Sequence, residues 1–279
     1  MGTLYVVGTP IGNLEDITLR ALRVLKEVDL IAAEDTRKTM RLLSHFDIHT
    51  PQESYHRHSG TPKLERLLEL LQTKDVALVS EAGMPGISDP GEPLIAAALE
   101  QGVPVIPIPG PTAMATALVV SGLPSDRFLF LGFLSRVRSD RQRFLRSVAA
   151  LPFTLVLYEA PHRLLATLAD LETVLGDRPA AAARELTKLH EEVVRGRISE
   201  IALVFKERAP RGEFTLVIAP PREGEVSSEQ AAQPAVDLVA AARRLRAEGV
   251  EGKDGVKRLM ESTGSGRRAA YQAWLESGK

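Results

Sequence analysis

Apolar positions along this chain fall into runs of four to six residues, separated by glycine- and proline-rich loops and by stretches of helical period. Leu4–Val7 is too short for a helix and reads as a strand. After the loop at residues 8–13, Ile17, Ala21, Leu22, Val24, Leu25 and Val28 recur at helical spacing, with Asp16 placed to cap the helix. Residues 29–33 give a second strand, 38–46 a helix and 54–59 a polar, extended piece. Residues 62–72 form an amphipathic helix with proline in its first turn. Val76–Val79 is a buried strand, 92–101 a helix, 103–108 a strand, and an alanine-rich helix runs to Ser121. This alternation of strand and helix predicts an α/β architecture whose first sheet is mainly parallel and covered on both faces.

Residues 122–125, Gly-Leu-Pro-Ser, break the pattern and mark an expected domain boundary. Beyond it, strands are expected at 128–131, 153–158, 180–186 and 214–218, helices at 139–150, 164–175 and 198–206, and a short extended piece at 191–195. Residues 220–225 read as a linker, and 229–279 as a helical tail with breaks at 249–255 and 263–266. Apolar residues of that tail, from Val236 through Leu245 and Leu259 to Trp274, suit a small bundle. The expected organisation is 1–121 as a first α/β domain, 122–221 as a second, and 222–279 as a linker and small α-helical C-terminal domain.

Composition narrows the function classes. With no cysteine, disulfides, thiolate catalysis and thiolate metal sites are all excluded. No apolar run has the length of a membrane span, and the N-terminus enters a strand pattern with no basic leader, so the expectation is a cytoplasmic protein. A net charge of −1 gives no bulk support for nucleic-acid binding, which must come from a local patch.

The densest chemical signal is residues 76–91, VALVSEAGMPGISDPG: a strand, then a loop with Gly83, Gly86 and Gly91, two prolines, and the acceptors Glu81, Ser88 and Asp89. Open α/β sheets bind ligands on such loops at the carboxyl ends of strands. The loop holds no Lys or Arg, and neither dinucleotide- nor triphosphate-binding fingerprints occur, so the glycines serve another ligand or follow another fold's rules. Glu34 and Asp35 follow the second strand at the same edge; Asp35 reads either as a helix cap or as a general base. His56 and His58 are spaced to share one side of a strand, either as a metal pair or as a solvated or RNA-facing pair. Arg136, Arg138, Arg141, Arg143 and Arg146 make the strongest basic patch, suited to an RNA backbone or simply a solvated helix face. His162, Arg163 and Lys188 are the second-half cations best placed to face a cleft.

Residues 4–13 (LYVVGTPIGN), 33–37 (AEDTR), 80–91 (SEAGMPGISDPG), 109–113 (PGPTA) and 158–163 (YEAPHR) together resemble the ribosomal RNA small subunit methyltransferase I family of the tetrapyrrole methylase superfamily. The resemblance runs from about residue 3 to 220, with five motifs in order; the tail is only loosely similar. It implies a two-domain tetrapyrrole-methylase-like fold, a homodimer, S-adenosylmethionine as methyl donor, no metal, and 2′-O-methylation of a cytidine in 16S ribosomal RNA of the small subunit. By motif the donor contacts Pro10, Glu81, Ala82, Gly83, Ile87, Ser88, Ala113, Leu157 and Tyr158. Arg37, Arg136, Arg138, Arg141, Arg143 and Arg163 form the RNA-facing set. Asp35 is taken as the base ahead of Glu34, with His56 as competitor. Glu81 stands where the family usually has Asp, and Met84 where Thr is common. The alternatives are a C-methyltransferase of tetrapyrrole precursors and a non-catalytic RNA-binding assembly factor.

Overall fold

The structure, a computed structural model, describes residues 1–56, 59–222, 238–250, 252–263 and 265–278. Strands β1 (Leu4–Val7), β2 (Leu30–Ala33), β3 (Gln52–Ser54), β4 (Val76–Val79) and β5 (Val105–Ile108) form one sheet in the order β3-β2-β4-β1-β5. Every neighbouring pair in it is parallel. Helices α1 (Leu19–Glu27), α2 (Thr36–His45), α3 (Gly60–Leu70) and α4 (Glu92–Glu100) make the crossovers. In β4, Ala77 and Val79 join the cluster under α1, whereas Val76 and Leu78 join the one under α3 and α4. That period of two, with both faces buried, is why the strand reads as a continuous apolar run.

Two local expectations change. Thr18, not Asp16, caps α1: its hydroxyl accepts from the Ala21 N–H at 3.1 Å, while Asp16 ends a short 3-10 turn, Leu14–Asp16. The extended piece near residue 54 is the end of β3, followed by Tyr55 and His56; Arg57 and His58 lie outside the described residues.

A second sheet holds β6 (Phe128–Phe133), β7 (Thr154–Glu159), β8 (Pro179–Arg184), β9 (Glu192–Arg197) and β10 (Phe214–Ile218), in the order β6-β7-β10-β8-β9. Only β6 and β7 run parallel; the other pairs are antiparallel. One face packs on α6 (Arg138–Val148), α7 (Leu164–Leu175) and α8 (Ile198–Glu207). The opposite face is covered by α5 (Ala113–Ser121), whose Ala117 and Leu118 meet Val156, Ala181, Ala183 and Val217. The boundary expected after Ser121 therefore follows a helix that belongs, by packing, to the second sheet. The alanines of β8 leave the room that lets α5 lie close.

The chain divides into two compact units, Met1–Pro221 and Arg222–Lys279. The second contains α9 (Leu238–Ala247), α10 (Gly252–Thr263) and α11 (Arg267–Glu276), packed around Ala242, Leu259, Ala270, Ala273 and Trp274. The Trp274 ring lies where a Cβ on Gly255 would stand, and the Arg246 guanidinium stacks on that ring at 4.6 Å. Half of the expected linker, residues 223–225, and Val236 lie outside the described residues.

Candidate functional site

Parallel strands put their carboxyl ends on one edge, so the loops after β1, β4 and β5 converge. The first two are stitched by a pair of backbone hydrogen bonds, Thr9 N–H to Gly83 carbonyl at 2.9 Å and Gly83 N–H to Thr9 carbonyl at 3.0 Å. Gly83 holds φ +86°, a conformation that side chains with a Cβ resist. The loops after β1 and β5 touch through Gly8 and Gly110, where a Cβ on either would come within 2.8 Å of the other's backbone. The glycine density of the sequence thus has two geometric causes: the loops after β1 and β5 pass too close for side chains, and the loop after β4 turns through positive φ at Gly83 and Gly86.

These loops form one wall of a cleft enclosing about 910 Å³ of space, part of it open to solvent. The loop wall presents Ile11, Glu81, Ala82, Gly83, Met84, Ile87, Ser88, Asp89, Thr112 and Ala113. The second sheet supplies the other wall, with Phe133, Tyr158, Glu185, Leu186, Lys188, Glu213, Phe214 and Thr215 among its residues. Tyr158 ties the walls together: its hydroxyl accepts from the Met114 N–H at 3.1 Å, and its ring meets Phe130 and Phe133 at 4.9 and 5.5 Å. Of the expected donor contacts, Glu81, Ala82, Gly83, Ile87, Ser88, Ala113 and Tyr158 border this cleft. Pro10 and Leu157 are not among its lining residues; Leu157 alternates away from Tyr158 into the core beneath α7.

At the rim, the Lys38 ammonium pairs with Glu81 at 2.6 Å, and Glu34 accepts from the Glu81 N–H at 3.1 Å. Asp35 caps α2, accepting from the N–H groups of Arg37 at 2.8 Å and Lys38 at 3.4 Å. The Arg37 N–H, more than any other cause, holds the Asp35 carboxyl below its ordinary range. Asp89 moves the other way. Burial, and then the charge of Glu34, push it up to about 6 against a hydrogen bond from Ser80. Glu34, Asp35 and His56 are not among the lining residues. His56 is exposed, with its N–H on the Ser59 hydroxyl at 2.8 Å. Among the described residues no group of three His, Asp or Glu is arranged to hold a metal.

The arginine patch divides. Arg141 is 5% exposed and grips Asp170 through Nε at 2.8 Å and Nη2 at 2.5 Å, so it is a core ion pair and not an open phosphate contact. Burial pushes Asp170 up, but hydrogen bonds from Gln142, Arg138 and Arg141 outweigh that and hold it below the carboxylate range. Arg138 shares Asp170 at 3.0 Å with its side chain 72% exposed. Arg163 is drawn inward, donating to the carbonyls of Leu134 at 2.9 Å and Ser135 at 3.1 Å beside Glu159. Arg143 pairs with Asp140, and Arg37 and Arg136 are exposed. Of the second wall, Tyr158 and Lys188 were expected from the sequence, whereas Phe133, Glu185 and Glu213 belong to no motif.

The chain matches the family described as tetrapyrrole (corrin/porphyrin) methylases over residues 3–202. It is 50% identical to a "Ribosomal RNA small subunit methyltransferase I" of Synechocystis, aligned over 99% of this chain and 98% of that protein. A protein of the same name from Thermotoga maritima is 48% identical, with 99% of its length covered by 78% of this chain. Among solved structures, a diphthine synthase aligns with TM-score 0.61 at 16% identity, covering 78% of this chain and 90% of that one. A uroporphyrin-III C-methyl transferase of Thermus thermophilus, complexed with S-adenyl homocysteine, aligns with TM-score 0.55 at 24% identity, covering 78% and 97%.

Proposed function

The chain belongs to the ribosomal RNA small subunit methyltransferase I family of the tetrapyrrole methylases, and on that premise we propose that it transfers a methyl group from S-adenosylmethionine to the 2′ oxygen of a cytidine in 16S ribosomal RNA. The observation that carries the proposal is the cleft itself, one wall made of converging backbone loops and the other of a mixed sheet.

The lining suits the donor chemically. Ala113, Met84, Leu186 and Phe214 offer an apolar bed for a purine. Ser88 and the backbone of the loop after β4 offer partners for a ribose diol and an amino-acid head. Glu81, Asp89, Glu185 and Glu213 outnumber Lys188 along the cleft, which favours a ligand carrying sulfonium and ammonium charges. The donor supplies an electrophilic methyl with a neutral leaving group, so the protein's task is chiefly alignment. Pro10, Glu81, Ala82, Gly83, Ile87, Ser88, Ala113, Tyr158 and the backbone at Leu157 are proposed to hold it. Arg37, Arg136, Arg138 and Arg143 are proposed to meet RNA phosphates. The proposal includes a homodimer acting in the cytoplasm.

Incubation with labelled donor and either small subunits or naked 16S RNA, followed by nucleoside digestion and mapping, tests the reading. Label in one 2′-O-methylcytidine is the expected result. Label on a tetrapyrrole precursor supplied in a parallel incubation, with RNA unlabelled, would replace it.

A further inference from the structure

We infer that Asp89, rather than Asp35, is the carboxylate that takes the proton from the acceptor hydroxyl. The inference rests on the methyl-transfer reading above and assigns its proton.

Five carboxylates border the cleft: Glu81, Asp89, Glu159, Glu185 and Glu213. Glu159 is 1% exposed and already accepts from the Thr167 hydroxyl at 2.6 Å and the Ala160 N–H at 2.8 Å, with Arg163 at 3.4 Å. Glu81 is bound to Lys38 at 2.6 Å, and Glu185 to Lys188 at 3.0 Å. Glu213 is exposed to solvent. Asp89 alone is half-buried with no cation paired to it in the described structure.

Its place in the loop is fixed. The preceding Ser88 sits at φ +64°, and Ser80, which hydrogen-bonds Asp89, is 2% exposed. The charged groups facing it are Glu34, Glu81 and Glu213, all negative, with the Tyr158 phenol within electrostatic reach. Lys38, the nearby cation, is spent on Glu81.

That setting is the opposite of the one around Asp35. The N–H groups of a helix start stabilise the ionised form of Asp35 and so weaken it as a base. Burial and like charges make Asp89 more basic, up to about 6. It is still largely ionised at neutral pH, which is the compromise a general base needs. In the transfer, Asp89 accepts the proton as the acceptor oxygen bonds to the methyl carbon. The carbon–sulfur bond breaks with its electron pair staying on sulfur, so charge and atoms balance.

The pH dependence follows with its sign. The ionised form is the active one, so kcat/KM should rise through about pH 6. The positive donor, once bound, lowers the Asp89 pKa, so the same limb in kcat should lie at lower pH. Asp89→Asn should lose roughly 10²-fold or more in single-turnover transfer, together with that limb. Asp35→Asn should keep it.

A readout independent of turnover is the melting temperature. Because the folded-state pKa of Asp89 is raised, the ionised group costs stability as pH rises through about 6. Asp89→Asn should therefore melt above the wild type at pH 8, with the gap narrowing as pH falls through about 6 toward the unfolded-state value of 3.8. If Asp89→Asn does not fold, Asp89→Ala assayed with and without formate replaces it, rescue by formate being expected. A near-normal rate in Asp89→Asn with the limb intact, or an unrescued Asp89→Ala, would overturn the inference. Wild-type protein that leaves RNA unlabelled would instead remove the methyl-transfer reading, while the melting comparison still reports on Asp89.

Discussion

The two walls of the cleft are built on different principles. The first sheet contributes backbone: three loops from parallel strands, held together by the Thr9–Gly83 pair and the Gly8–Gly110 approach. The second contributes side chains from a mixed sheet, steadied by networks such as Arg141–Asp170 and Glu159–Thr167. A wall made of backbone fails when a side chain is added, and a wall made of side chains fails when one is removed. Substitutions should therefore separate ligand binding from stability according to the wall they strike.

The largest effect expected is on the second wall's support. Asp170→Ala leaves Arg141 buried without its partner and should cost ~3–5 kcal/mol in urea unfolding. Since Asp170 is held below its ordinary range, its contribution is complete above the unfolded-state pKa and fades as pH falls through the folded one. The gap between variant and wild type should narrow in acid; a constant gap would break the comparison.

Next, Gly110→Ala puts a Cβ against the Gly8 backbone at 2.8 Å. Overpacking there should cost ~1–3 kcal/mol and move the loops after β1 and β5, with donor affinity by calorimetry falling at least as far. Gly83→Ala is milder: its Cβ meets nothing nearer than 3.6 Å, so only the φ of +86° is penalised. About 1–2 kcal/mol of stability is expected to be lost in urea unfolding, and the reading sharpens if donor affinity falls as well. Smallest in stability is Arg37→Ala with Arg136→Ala and Arg143→Ala. Unfolding should be unchanged, while each lost phosphate contact flattens the salt dependence of RNA binding by about 0.7–0.9 in log–log slope. An unchanged slope would make these arginines a solvated face.

What was legible follows the same division. Four-residue apolar runs between glycine loops announce a parallel sheet, and the same loops announce the candidate ligand edge, so Gly83 and Ser88 could be read from local sequence, while Ala113 came only from the family resemblance. Strand direction in the second sheet could not, because an antiparallel pair such as β8–β9 shows no different period from a parallel one. Arg141 looked like part of a basic patch because Asp170, which buries it, lies 29 residues away. Asp35 stayed ambiguous for a related reason: a cap and a base use the same residue at the same position, and only its hydrogen bonds separate them. Asp16 lost its expected role to Thr18 because a 3-10 turn intervenes before the helix.

The helix α5 carries a consequence for how such a chain can be cut and recombined. By sequence it closes the first α/β half; by packing it lies on the second sheet, its Ala117 and Leu118 against Ala181 and Val217. A crossover between two relatives placed at the obvious glycine, Gly122, would pair one parent's α5 with the other parent's sheet. A breakpoint before Pro111 would keep helix and sheet from a single ancestor. It would still divide the ligand loops, since Gly110 must fit a Gly8 inherited from elsewhere. The two halves are therefore best exchanged as one module, because the last helix of the first is a structural part of the second.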